Sequence, residues 1–361
     1  MSDDGAHAPV ADGRLIGGRY RLSARIDSGH ATDAVVAEGA AAEGVVAEGA
    51  EGAEGAEGVG TGRVWRAVDE VTGREVAVKQ PLSGPGAHSP DPRVVNRLQH
   101  EARAAARVEH PSAVAILDVV LDDGLPWIVM ELVHGESLGT VLRRGPLPPA
   151  ETARIGLAVL GALRAAHSVG IVHRDVKPAN VLIESVTGRV VLTDFGTWHG
   201  TPAEASTGST QPTAPTAPTA PVPPSASTAP VDPLDPLGQD GDFLAPEQMS
   251  RPGAGPASDL WSLGVLLYVT VEGRPPFRRT VAPQSSAPQP PAYHHAGPLA
   301  PLLTRLLARE PADRPVPDEA AAVLRAVAEA EPAGCGGGYN TLISAFAAGD
   351  DWRSVSSRCS P

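Results

Sequence analysis

Apolar and polar residues alternate with a period of two through RYRLSARIDSGH (19–30), and the same period returns in GRVWRAVDE (62–70) and GREVAVKQ (73–80) around a Val-Thr-Gly turn. The period then lengthens to that of a helix over Arg93–Glu109, where His110-Pro111 stops it. AVAILDVVLDDGLPWIVMELV (113–133) reads as two strands about an Asp-Asp-Gly turn, and Ala150–Val169 as a helix with Ile155, Val159 and Leu163 on its apolar face. Two short strands, NVLIES (180–185) and VVLTD (190–194), bracket VTGR. Helical spacing resumes over Ala257–Glu272, Leu299–Ala308 and Asp318–Ala330. Strands early and helices late predict an α+β chain of two lobes of different class.

Low-complexity stretches interrupt this pattern. The 39 glycines and 37 prolines of the 361 residues are clustered rather than spread. Between Ala31 and Gly60 there are seven carboxylates and no Lys or Arg. Ala and Glu favour helix there, but each Gly costs about 1 kcal/mol against it, so the stretch reads as a flexible acidic insert. Residues 200–238, rich in Thr, Pro, Ala and Ser with a repeated Thr-Ala-Pro, bury too little apolar surface to order themselves. A second Pro-rich stretch covers 282–298, and residues from Glu331 onward carry no strong signal. The organisation expected is a flexible N-terminus (1–18), a strand-rich lobe (19–133, holding insert 31–60), a helical lobe (134–330, holding insert 200–238) and a tail (331–361).

The formal net charge of -13 argues against nucleic acid or an anionic membrane as the main partner. Cys335 and Cys359 both lie in the tail and support neither a disulfide framework nor a zinc site. The polar first residues predict no signal peptide. The longest apolar run, LWSLGVLLYVTV, is about half the ~20 residues a membrane span needs. A soluble cytoplasmic protein is expected.

The chemistry concentrates in VHRDVKPANVLI (172–183), which sets the carboxylate of Asp175, the ammonium of Lys177 and the carboxamide of Asn180 at short fixed intervals between strand-like pieces. Lys79 ends the strand VAVK, Glu101 follows on a helix, Asp194 opens Asp-Phe-Gly, and Ala245-Pro246-Glu247 comes after. In this order the motifs resemble the eukaryotic-like (Hanks-type) serine/threonine protein kinases of bacteria over residues 19–330. The resemblance implies a bilobal kinase-like fold: an N-terminal antiparallel sheet with one helix, then a mainly helical lobe. It implies ATP and Mg²⁺ as cofactors, proteins bearing Ser or Thr as substrates, and autophosphorylation, with Thr and Ser of 201–228 as the sites. No oligomeric state follows from it.

Carried residue by residue, the resemblance makes Asp175 the acceptor of the substrate hydroxyl proton and has Lys177 steady the transferring phosphate. Asn180 and Asp194 become oxygen ligands for Mg²⁺. Lys79, held by Glu101, presents a cation to the nucleotide phosphates. Gly29 and Gly62 belong to the phosphate-covering loop, Val64 and Ala77 pack on the base, Met130 guards its pocket, and the backbones of Glu131 and Val133 meet it. Glu247 and Arg314 form a structural ion pair, Asp259 braces the catalytic loop, and Arg174 can pair with a phosphorylated residue.

The pattern is broken in three places. The Gly-rich loop is split by 31–60, with Asp27 at its first Gly position; seven carboxylates beside a triphosphate disfavour its binding. Asp240 stands where the family carries a Thr, in reach of Lys177 but repelling Asp175. The stretch APQSSAPQPPAY (282–293) replaces much of a helix that the family uses for docking. These departures keep open the alternative of a pseudokinase, a nucleotide-binding scaffold or regulator.

Overall fold

The computed structural model describes residues 13–26, 63–80, 92–195, 240–250, 255–277 and 292–330. Asp27, Gly29, Gly62, both inserts and the tail lie outside the described residues, as does the side chain of Asp240.

Six strands form one antiparallel sheet: β1 (Leu15–Ile16), β2 (Tyr20–Ile26), β3 (Val64–Asp69), β4 (Glu75–Lys79), β5 (Ile116–Asp122) and β6 (Leu125–Glu131), in the order β1-β2-β3-β4-β6-β5. The period of two sorts its residues between faces. Ile16, Tyr20, Leu22, Trp65, Ala67, Val76, Val78, Trp127 and Val129 gather in a small core on one face. The intervening positions Val64, Ala77 and Met130 pack into the main core on the other. Lys79, two residues after Ala77, belongs to that second face, which is how the strand carries a lysine into the interior.

The strand β1 falls in the segment that reads as a flexible N-terminus. Its turn uses Gly17 and Gly18 at φ +56° and +68°, conformations cheap only for glycine. Arg14 ties it to Asp122 and Asp123, more than a hundred positions away. A two-residue strand has no readable period, and its partners are invisible locally.

The helix α1 (Pro92–Ala105) packs Leu98, Ala102 and Ala105 inward beside the sheet. Beyond β6 the chain makes β7 (Gly135–Ser137), α2 (Leu138–Leu142), α3 (Pro149–Ser168), β8 (Val181–Glu184) and β9 (Val190–Leu192), with β7, β8 and β9 forming a small antiparallel sheet. Next come α4 (Pro246–Ser250), α5 (Pro256–Glu272), α6 (Ala300–Leu306) and α7 (Pro317–Ala330). Every residue of α5 from Ser258 to Glu272 is buried, as expected of a helix apolar all round. Gly264 permits this: a Cβ there would meet Leu306 Cβ at 2.8 Å. The strand β9 is stitched to the loop after α1, where Val114 N donates to Leu192 O and Leu192 N to Ser112 O. The observed α+β architecture, antiparallel sheet first and helices later, is the expected one. No helix among the described residues is long and apolar enough to cross a membrane.

Candidate active site

The loop between α3 and β8 carries the catalytic candidates, and the α5 N-terminus holds it. The Asp259 carboxylate, fully buried in the first turn of α5, accepts from the backbone N–H groups of His173 and Arg174, both at 2.8 Å, and lies 2.7 Å from His167 Nε2. Burying a carboxylate is tolerable when such donors surround it. They also hold Arg174 at φ +69°, left-handed backbone that costs a non-glycine roughly 1–2 kcal/mol. The bracing role expected of Asp259 is therefore visible as named bonds.

His173, which the sequence reading does not single out, joins the loop to the strand that presents Asp194. Its Nε2 lies 2.7 Å from Thr193 O, Asp175 N donates to its Nδ1 at 3.3 Å, and its ring meets Phe195 edge-on at 4.9 Å. Those partners assign the proton to Nε2. The available signal was its place at the head of His-Arg-Asp. Thr193 N donates to Asn180 O at 2.9 Å, closing a second link between the segments.

On this frame Asp175, Lys177 and Asn180 converge. Lys177 Nζ lies 3.2 Å from Asp175 Oδ2, and Asn180 Nδ2 donates to both Asp175 O at 2.8 Å and Asp175 Oδ2 at 2.9 Å. Lys177 and Asn180 are both buried. Asp194, at φ +66°, pairs with Lys79 Nζ at 2.8 Å. Burial alone would raise the Asp194 pKa, but Lys79 foremost, with His173 and Lys177, holds it below the usual carboxylate value.

Glu101 is placed differently from the expectation. Lys79 pairs with Asp194 rather than with Glu101, whose ion-pair partner among the described residues is Arg97, at 4.0 Å one helical turn away. The Glu101 side chain is 39% exposed. Partial burial pushes its pKa up against the opposing fields of Arg97, Arg174 and His100. Position along α1 identifies Glu101, but its partner depends on how α1 sits, which no local pattern encodes.

The expected base-pocket residues come together at the sheet's inner face. Ala77 stands opposite Met130 and Val64 opposite Lys79 in the strand registers. Glu131 ends β6, and Val133 packs against the main core just beyond it. Further down, Arg314, whose side chain is fully buried, forks onto Glu247 at 2.5 and 2.8 Å and stacks 5.2 Å over Trp261. It also donates to Ala257 O and Ala308 O. Burial would raise the Glu247 pKa, but the Arg314 bonds hold it below its ordinary value. Gln248 ties this anchor to the loop by donating to Arg174 O at 3.2 Å.

The family model described as "Protein kinase domain" matches residues 56–323. The serine/threonine-protein kinase PknL of Mycobacterium tuberculosis is 36% identical over 219 residues, covering 60% of this chain and 48% of that protein. The serine/threonine-protein kinase PknA of the same organism is 37% identical over 224 residues, covering 60% and 45%. This chain thus spans about half the length of these relatives. Among solved structures, the M. tuberculosis PknI kinase domain superposes with a TM-score of 0.59 at 24% identity, covering 89% of this chain and 99% of that one, a likeness of fold. With the family match covering most of its length, the chain belongs to the protein kinase domain family.

Proposed function

We propose that this chain is an active serine/threonine protein kinase that transfers the γ-phosphate of ATP, with Mg²⁺, to Ser or Thr hydroxyls of proteins, itself included. The observation that carries this reading is Asp175, fixed between Lys177 and Asn180 on a loop strapped to Asp259. Such transfer needs positioning and charge neutralisation more than covalent chemistry.

Asp175 orients the substrate hydroxyl and takes its proton. Lys177, drawn to the same carboxylate, places its cation where the transferring phosphate gathers charge. Asn180 spends its N–H groups on Asp175, so its side-chain oxygen is the atom it offers to a cation. With the Asp194 carboxylate this makes a pair of hard oxygen donors, a set that suits Mg²⁺ completed by phosphate oxygens and water. When bound, the ion neutralises charge across the phosphates. Lys79 exchanges Asp194 for phosphate and Glu101 as the nucleotide enters, and the backbones of Glu131 and Val133 receive the base.

The two lobes of this reading meet near 132–134. The alternative, a nucleotide-binding scaffold, rests on Asp27, Asp240 and the acidic insert, and no described contact favours it. Radiolabelled ATP with Mg²⁺ decides between them. Wild type should label itself or a generic basic protein, and Asp175→Asn should lower the rate by about 10²-fold or more. Equal labelling by both proteins, or none by wild type, overturns the proposal.

A further inference from the structure

Glu131 sits where the backbone is expected to receive the base, but its carboxylate points to other work. Its Oε1 accepts from Ala115 N at 3.0 Å, while its own N–H donates to Ala115 O at 2.9 Å. Its Oε2 accepts from Arg189 Nη2 at 2.8 Å. Arg189 stands at the turn between β8 and β9, where Gly188 takes φ +72° and Arg189 N donates to Thr187 Oγ1 at 3.1 Å. Its other fork atom reaches Pro111 O at 3.4 Å, and Glu184 Oε1 lies 3.7 Å away. The loop 111–115 is itself hydrogen-bonded to Leu192 of β9. One carboxylate thus ties together the last residue of the large sheet, the loop that leaves α1, and a hairpin of the helical part. Both partners are half-buried, with side chains 25% and 31% exposed.

We infer that the Glu131–Arg189 pair is an inter-lobe clasp: Arg189 is a positioning residue that fixes the angle of the nucleotide-binding hinge and so raises affinity for ATP. The inference rests on the proposed function in taking the 131–133 backbone as the seat of the base. A hinge held at one angle presents its backbone donor and acceptor already oriented, so the bound base gives up less freedom. The pair also has a local fallback. Without Glu131, Arg189 still has Glu184 in its own hairpin, so breaking the clasp unties the lobes without unfolding the turn.

The test is titration of the full chain with a non-hydrolysable ATP analogue and Mg²⁺, alongside amide hydrogen exchange at Ala115. Arg189→Met removes the charge and keeps the stem. Glu131→Gln removes the charge but keeps the oxygen that accepts from Ala115. Each should weaken the analogue about twofold to fivefold, the scale of a partly exposed ion pair. The double variant should be no worse than either single, because both break one interaction. Thr187→Ala, which loosens the same turn without touching Glu131, should lower the melting temperature and leave affinity unchanged. Affinity unchanged or tightened in the singles, or additive losses in the double, overturns the inference. If wild type binds no analogue, the kinase reading fails separately. The clasp is then judged by exchange in Arg189→Met, where Glu131 loses its anchor: faster exchange at Ala115 sustains it, and an unchanged rate refutes it.

Discussion

Two halves of one site are built to different standards. The loop bearing Asp175 is held from behind by buried Asp259, from the side by His173 and from within by Asn180. Lys79 and Glu101, which the family resemblance pairs with each other, are each engaged elsewhere, and Glu101 is partly open to water. The half proposed to take the substrate proton is already fixed by these bonds, whereas the half proposed to receive the phosphates would still have to exchange partners. Preorganised polar groups cost nothing to reorganise at the moment of reaction, so rigidity is useful where charge develops. An adjustable ion pair is useful where a nucleotide must enter and leave.

The largest effect that can break this contrast is expected at Asp259. Asp259→Ala orphans the buried His173 N–H, the Arg174 N–H and His167, and releases the strained turn at Arg174. It should cost about 3–5 kcal/mol, as removal of a buried charged partner does, and lower turnover by roughly 10²-fold. Denaturant unfolding with a kinetic assay checks both numbers. A variant that folds with near-normal turnover would show that the loop does not depend on its brace.

Arg314→Leu comes next, with an expected loss of about 3 kcal/mol because Glu247 is left without its partner. The double change Arg314→Leu with Glu247→Leu should recover much of that loss in the same unfolding experiment. If it recovers none, the pair stabilises more than its geometry implies.

The smallest effect on stability, and the sharpest test of the contrast, is at Glu101. Glu101→Gln should leave the melting temperature of the nucleotide-free protein unchanged while slowing phosphoryl transfer about tenfold. The two halves also titrate in opposite senses. Glu247 has a folded pKa below its unfolded value, so its contribution is present above the unfolded pKa and is lost as pH falls through the folded one. The Glu101 pKa is raised by burial, so the folded state binds its proton more tightly and gains stability as pH falls through that value. Glu247→Gln should therefore flatten the acid loss of stability, and Glu101→Gln should steepen it.

The same contrast governs what the sequence reveals. Asp175, Lys177, Asn180 and Asp194 lie in short runs whose order along the chain carries the family resemblance that identifies them, whereas His173, in the same run, is legible only from its bonds. Asp259 and Arg314 sit far along the chain and become meaningful only through the family resemblance. The strand elements were readable because a half-buried sheet enforces a period of two, and α5 because it is apolar on every side. The partners chosen by Lys79 and Glu101 were not readable, since they depend on the placement of α1 against the sheet. The Glu131–Arg189 pair was hidden for the same reason: its members are 58 positions apart, and the resemblance singles out only the Glu131 backbone. The strand β1 was missed because its order comes from Arg14 reaching across the sheet.

Hydrogen exchange with and without a non-hydrolysable ATP analogue and Mg²⁺ tests the central claim most directly. The account predicts greater protection along α1, residues 92–105, as Glu101 engages Lys79, with the amides of 173–180 unchanged. New protection concentrated in 173–180 with α1 unaffected would contradict it, because the catalytic loop would then be assembled by the nucleotide rather than before it.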